Sequence, residues 1–403
     1  MSSIVSGRRV VLVARVLLVG VLVFPLSGAV QASSTTTFSG QATVLQGRVA
    51  GVSLPCVQGP STGCNGVVDT GPIAVGSAQA NLQASLLCYA VPDQTGCLLS
   101  PPTLTGNTLN AEVLHAAVVA RGDTSRAEAS VANFSLSVAG VQINADLLRA
   151  QARATCSGNS AVVQAGAETT VTINGTTYTV GANQTQTIQL FNNAGDNLGY
   201  VVVNEGASGT KSGNSIDASA LHVVIPAANT DLTVAAVHAD VTCGSLLNCP
   251  GRNDFVTGGG FINPAGPKLH FALAGRDGAA WGHVLYKPTG LHVKDPFARV
   301  IRTFKDLGTE LAAHPEFSAA KGALSRLDGN ASNFQGAAIL YWTNNGQSSG
   351  TIVGEVLAID MGEPGRGNDF FEIAGLNATN SLASLGGGFL EGGNIQMHGK
   401  CPS

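Results

Sequence analysis

From Phe38 onward the chain alternates apolar and polar side chains with a period of two, and Gly, Asn, Ser and Pro interrupt the pattern at short intervals. Successive side chains of a strand point to opposite faces, so this alternation commits the chain to short strands with one apolar face each. Composition agrees: 11% of the 403 residues are charged, against about 25% in an ordinary soluble domain, and 51 are Gly. Small side chains and frequent turn residues disfavour long amphipathic helices. A net charge of −4, from 21 basic and 25 acidic residues, argues against a nucleic-acid binder.

Strand signals fall at 38–44, 81–89, 112–120, 127–138, 141–156, 169–173, 177–180, 185–191, 198–204, 216–225 and 234–243. Asn174-Gly175 between two Thr/Val runs marks a two-residue hairpin. Segment 141–156 is Ala-rich and fits either period, but its charges alternate, which favours strand. After a Cys/Pro/Gly stretch at 244–253, a second series follows at 255–262, 268–274, 281–286, 298–304, 337–343, 352–360, 370–373 and 388–398. Within it the period changes once: Phe317, Ala320, Leu324 and Leu327 recur at helical spacing, with Pro315 near a helix start. The expectation is an all-β protein of two antiparallel β-sandwich domains in tandem, residues 33–243 and 254–403, joined by a linker at 244–253. A short helical insertion, within 305–327, projects from the second.

Ahead of the strands lie Arg8 and Arg9, an apolar run to Leu26, and the small-residue segment Ser27–Ala32. This is the pattern of a signal peptide, residues 1–32, cleaved after Ala32. A membrane anchor is the competing reading, but Arg15 leaves Val16–Leu26 as the uninterrupted run, short of the roughly 18 residues a span needs. The Arg pair loosely resembles a twin-arginine signal, which leaves the export route open. No later stretch is long and clean enough to span a bilayer, so the mature chain is expected to be soluble or held by an envelope or extracellular partner.

All eight cysteines follow the cleavage site, and an even count in an exported chain favours disulfides. Spacing alone leaves connectivity open, but strand parity narrows it. Cys156 ends a face carrying Asp146, Leu148, Ala150, Ala152 and Ala154; Cys243 ends one carrying Ala235, Val237, Ala239 and Val241. Two inward cysteines at strand ends suit a buried bridge, Cys156–Cys243. Cys401 shares a face with Ile395 and Met397 and is paired with Cys249, while Cys56–Cys64 and Cys88–Cys97 would be local staples. A cysteine–histidine metal site is the alternative, but no C-x-x-C or H-x-x-x-H spacing occurs.

Segment Ala127–Cys156, with Ala129-Ser130-Val131-Ala132 running into Ile143–Cys156, resembles the bacterial choice-of-anchor P domain, as do Ala220–Val224 and Val237–Cys243. The stretches Phe255–Ile262, Gly362–Asp369 and Gly392–His398 are similar to the post-choice-of-anchor-P domain that commonly follows it in actinobacterial proteins. The resemblance implies an exported or cell-surface protein whose relatives use various C-terminal anchors and have no assigned activity, so no catalytic residues carry over. Two departures stand out. The chain has no recognisable anchor, and residues 305–332 exceed the usual connection, which marks them as a place where a specific function could have been added.

Candidate chemistries are few. Two serines, Ser61 and Ser348, sit in G-x-S-x-G strings, but that motif works only on a strand-turn-helix elbow, which neither neighbourhood offers. The histidines, His115, His222, His238, His270, His283, His292, His314 and His398, mostly alternate with apolar neighbours and are expected to face solvent or a sheet edge. The sharpest polar cluster is Asp360, Glu363, Asn368 and Asp369, whose oxygens could gather around a structural Ca²⁺; acids serving a Gly/Pro turn are the alternative. Trp281, Tyr286, Tyr341 and Trp342 could stack on sugar rings. No other cofactor is implied. The chain is read as a secreted or surface structural or interaction protein without catalytic activity, or alternatively as a glycan- or surface-binding adhesin.

Overall fold

The structure, a computed structural model, describes residues 36–74, 80–93, 108–158, 160–192, 194–244, 254–263, 267–363 and 365–398. The expected leader at 1–32, Cys97, Cys249, Cys401 and most of the 244–253 linker lie outside them. In the first half the strands are β1 (Thr37–Val49), β2 (Val52–Ser53), β3 (Ala80–Val91), β4 (Leu109–Arg121), β5 (Thr124–Val138), β6 (Val141–Ser157), β7 (Ser160–Ala165) and β8 (Thr169–Ile173). They continue as β9 (Thr176–Val180), β10 (Gln186–Phe191), β11 (Asn197–Glu205), β12 (Ser208–Ser212), β13 (Ser215–Ile225) and β14 (Thr230–Thr242). The second half holds β15 (Phe255–Ile262), β16 (Leu269–Arg276), β17 (Gly282–Tyr286), β18 (Leu291–Lys294) and β19 (Phe297–Ile301), then α1 (Phe304–Ala313) and α2 (Ser318–Asp328). It closes with β20 (Gly336–Thr343), β21 (Ile352–Asp360), β22 (Phe370–Leu376), β23 (Leu382–Phe389) and β24 (Gly392–His398). The fold is all-β, and every pairing between these strands is antiparallel.

Four sheets and the helical pair stack in layers. A six-stranded sheet, β10-β11-β13-β14-β1-β2, faces an eight-stranded one, β12-β7-β6-β5-β4-β3 with β8 and β9 attached through β6. Their inner faces enclose a core of small and medium side chains around Leu45, Leu114, Phe134, Leu148, Val223 and Val237. Two five-stranded sheets, β18-β17-β16-β15-β24 and β19-β20-β21-β22-β23, enclose a second core that includes Phe271 stacked on Phe371 at 3.8 Å.

The helices cover the outer face of the last sheet: Leu307, Leu311, Phe317, Ala320 and Leu327 pack on Ile339, Leu357 and Ile359. The insertion therefore lies flat on the sheet, because its apolar stripe needs a partner, where sequence had it projecting. Buried Glu372 of β22 anchors it, its two carboxylate oxygens accepting the Ala319 and Ala320 amides of the first turn of α2 at 3.0 and 2.8 Å.

The two sandwiches join outer face to outer face. Val113 and Ala132 of the eight-stranded sheet meet Ala272 and Leu285 of the next. Gly259 lies at this seam, where a Cβ would stand 3.1 Å from Ser130 Oγ. Strand β4 is consequently buried on both faces along most of its length.

The expected Cys156–Cys243 and Cys56–Cys64 bridges are present, the first with Cα atoms 5.6 Å apart, and Cys88 is also disulfide-bonded. Asn174 and Gly175 turn the β8–β9 hairpin with φ of 48° and 82°. Sequence missed the short or polar strands β2, β7, β12 and β18 and all but the last two residues of β23, where glycines blur the alternation. Asp146, read with the apolar face, is exposed instead: parity breaks at 146–147, across from Asn133, whose φ is 45° and where β5 shifts register against β4.

Candidate functional site

Where the sandwiches separate, past the seam at β4, a cleft of about 1050 Å³ opens over β5, β6 and β8. Its floor is the outward register of two paired strands: Arg126 opposite Arg153 and Glu128 opposite Gln151, with Arg149 next along β6. The facing wall comes from Thr257, Gln396 and His398 of β15 and β24 and from the 360–366 loop. Two ion pairs cross between the sandwiches at its rim, Lys268 with Asp146 and Arg366 Nη1 with Glu168 Oε1 at 2.7 Å.

The floor holds polar atoms that the protein leaves unpaired. Arg149 Nη1 and Glu128 Oε1 are buried without a hydrogen-bond partner, while the other Glu128 oxygen accepts from Gln151 at 3.0 Å. Arg126 has no hydrogen-bond or ion-pair partner among the described residues, and the like-charged Arg153 stands directly across from it. Burial, then Arg153, pulls the Arg126 guanidinium below its usual value; burial lifts the Glu128 carboxyl. A buried polar atom without a partner costs about 1–3 kcal/mol, so these groups are poised for a polar or anionic ligand.

The four expected calcium ligands do not converge. Asp360 accepts the Gly362 and Met397 amides at 2.8 and 2.7 Å, and Asp369 accepts those of Met361 and Ile395 at 2.9 and 2.7 Å. Glu363 takes Asn394 and Gln396 side chains at 2.7 and 2.6 Å, and Asn368 is exposed. The acids thus stitch the 360–369 turn to β24. Burial pushes Asp360 up to about 6 and Asp369 up to about 8 against the pull of those amides.

The aromatic residues are likewise scattered. Tyr286 is in the second core, 1% exposed, and offers no ring to a sugar; burial takes its hydroxyl up to about 12. Tyr341 stacks on Phe297 and Trp342 packs against the inner core, on opposite faces of β20, since adjacent strand positions point apart. Trp281 lies under Arg276, whose guanidinium is 4.7 Å from its ring.

The histidines expected at solvent divide. His222 and His238 lie half-exposed on the six-stranded sheet beside carboxylates, and His292 is exposed. But His115, His270, His283 and His398 are buried. Parity placed them on outer faces correctly; those faces are covered by the opposing sandwich, which a single-strand pattern does not encode. His283 Nδ1 is 2.6 Å from Gln83 Oε1, an acceptor, so it carries the proton and leaves Nε2 to accept from His115 Nδ1 at 3.0 Å.

Ser61 and Ser348 are exposed on loops. A serine row that sequence did not single out is Ser39 Oγ, 3.5 Å from His238 Nε2, with His238 Nδ1 2.8 Å from Asp217. Asp217 is 80% exposed on an open sheet face, where solvent screens the charge that would polarise the imidazole. Of the cleft residues, Arg149 and Arg153 were legible as outward charges; Arg126, Glu128 and the wall opposite them were not singled out.

No protein-family model matches the chain, and a search of the curated proteins finds no match. Among solved structures, kievitone hydratase from Nectria haematococca shares 10% identity, with coverage of 80% of this chain and 89% of that one and a TM-score of 0.18, a likeness that carries no argument. Among the described residues no helix is long and apolar enough to cross a membrane.

Proposed function

We propose that the chain is an exported protein of choice-of-anchor P type that acts by binding, not catalysis, and that the inter-sandwich cleft seats an acidic glycan. The carrying observation is the basic cleft floor, where Arg149 Nη1 is buried without a hydrogen-bond partner and Arg126 stands opposite Arg153. A guanidinium matches a carboxylate in bidentate geometry, and an anion between Arg126 and Arg153 would relieve their repulsion. The disulfides accord with an oxidising compartment.

The test is an array of uronate- and sialate-bearing oligosaccharides against their neutral counterparts, read on the exported chain. Acidic sugars are expected to bind, and Arg126→Gln or Arg149→Gln to weaken them about tenfold, the effect of losing one charged hydrogen bond. Equal binding of neutral sugars, or affinity untouched by either substitution, overturns the reading.

The non-catalytic part has its own check in a fluorophosphonate probe, which reacts with activated serines. No labelling is expected; labelling that disappears in Ser39→Ala would make the Ser39–His238–Asp217 row an enzyme site.

A further inference from the structure

Under the helical pair, at the far side of the second sandwich from the cleft, a histidine meets three glutamates. His314 caps the C-terminus of α1, Glu316 follows in the link to α2, Glu355 rises from β21 beneath them, and Glu310 sits in the last turn of α1. His314 Nδ1 is 2.7 Å from Glu316 Oε1 and 3.1 Å from Glu355 Oε2. All three ligand atoms lie within 4.8 Å of one another. Glu310 is occupied separately, its Oε1 receiving Arg299 Nη2 at 2.6 Å while its Oε2 is 3.9 Å from His314 Nε2.

The cluster brings three metal-ligand atoms together. Glu355 is 1% exposed and Glu316 shows 7% of its side chain, yet one imidazole nitrogen faces both. The two carboxyls also hydrogen-bond each other, so without an ion they must share a proton beside the imidazole, a place that a cation can take over. The spacing suits a cation: ligands about 2.0–2.1 Å from a tetrahedral or octahedral metal stand about 3.0–3.3 Å from each other, close to the distances present. One imidazole with two carboxylates is a donor set of the zinc and manganese class, less suited to Ca²⁺ or Mg²⁺, which prefer oxygen alone.

We propose that His314, Glu316 and Glu355 bind one divalent transition-metal ion, zinc or manganese, which fastens the helical insertion to the outer sheet. The three ligands come from a helix end, a link and a strand, so the ion would add a fastening at the α1–α2 link to those that Glu372 and the Arg299–Glu310 pair already make. His314 is partly exposed, which leaves the ion an entry path and a fourth position for water.

The experiment is metal analysis of the exported chain, followed by titration of the EDTA-treated protein with ZnCl₂, MnCl₂, MgCl₂ and CaCl₂ by calorimetry and thermal melting. One equivalent of zinc or manganese per chain is expected, with a raised melting temperature. Glu316→Gln, in a link where the fold is least at risk, and His314→Asn should each weaken binding at least tenfold while the circular dichroism spectrum of the metal-free protein is unchanged. Binding that survives both substitutions, preference for Ca²⁺ or Mg²⁺, or loss of binding in Glu363→Gln instead places any metal elsewhere and overturns the proposal, as does a chain that takes up none.

Discussion

Lowering the pH from about 7 to about 5 opens the seam between the sandwiches before either core gives way. His115 and His270 are buried there and their pKa values are held down to about 4, chiefly by burial, while burial carries His283 and His398 well below the usual imidazole value. An imidazole depressed in the folded state binds fewer protons folded than unfolded between the two pKa values. Its contribution is therefore complete above about 6.5 and is lost as the pH falls toward 4. For His115 and His270 the displacement is worth at most roughly 3 kcal/mol each at the acid end.

Two carboxyls of the second sandwich respond with the opposite sign. Asp360 and Asp369 are raised, to about 6 and about 8, and so favour the folded state most at low pH and less as the pH climbs through those values. Hydrogen exchange across pH, corrected for intrinsic rates, should show β4 and β17 losing protection first. The substitution pair His115→Gln and His283→Gln should remove much of the acid sensitivity. Uniform loss across both cores, or seam protection indifferent to pH, would show that protonation of these imidazoles does not govern the joint.

The second large effect is covalent. Cys156 lies in β6 of the eight-stranded sheet and Cys243 follows β14 of the six-stranded one, so their bond staples the two layers across a sequence separation of 87. In the chain-entropy account a loop of that length is worth about 4–5 kcal/mol. The double substitution Cys156→Ala and Cys243→Ala should lower the melting temperature by on the order of 10 °C, measured calorimetrically. Removing Cys56 and Cys64, whose separation is 8, should cost clearly less. Comparable losses from both would show that the long bridge does not act through loop closure.

Strand alternation disclosed one half of this geometry. Val237, Ala239 and Val241 pointed inward with Cys243 beside them, and Leu148, Ala150, Ala152 and Ala154 did so ahead of Cys156, which is why that bridge could be paired on parity. Arg149, Gln151 and Arg153 were legible as outward residues for the same reason. What covers an outward face is decided by another part of the chain. Hence His283 looked like surface and is buried at the seam, and Asp360 and Asp369 looked like metal ligands and are acceptors for Met361, Met397 and Ile395 amides. The His314–Glu316 spacing was present in the sequence, but Glu355, forty-one positions from His314, joins it only through the fold.

The sulfur link beside the exit from β14 also has a mechanical meaning. Thr242 ends a strand held between β13 and β1, and Cys243 comes directly after it, just where the chain departs for the second half. A tug transmitted from that half cannot peel β14 off residue by residue, because the load passes at Cys243 into β6 on the opposite layer. Rupture then requires shearing whole sheets instead of unzipping one edge, which suits a molecule tethered at one end and pulled at the other.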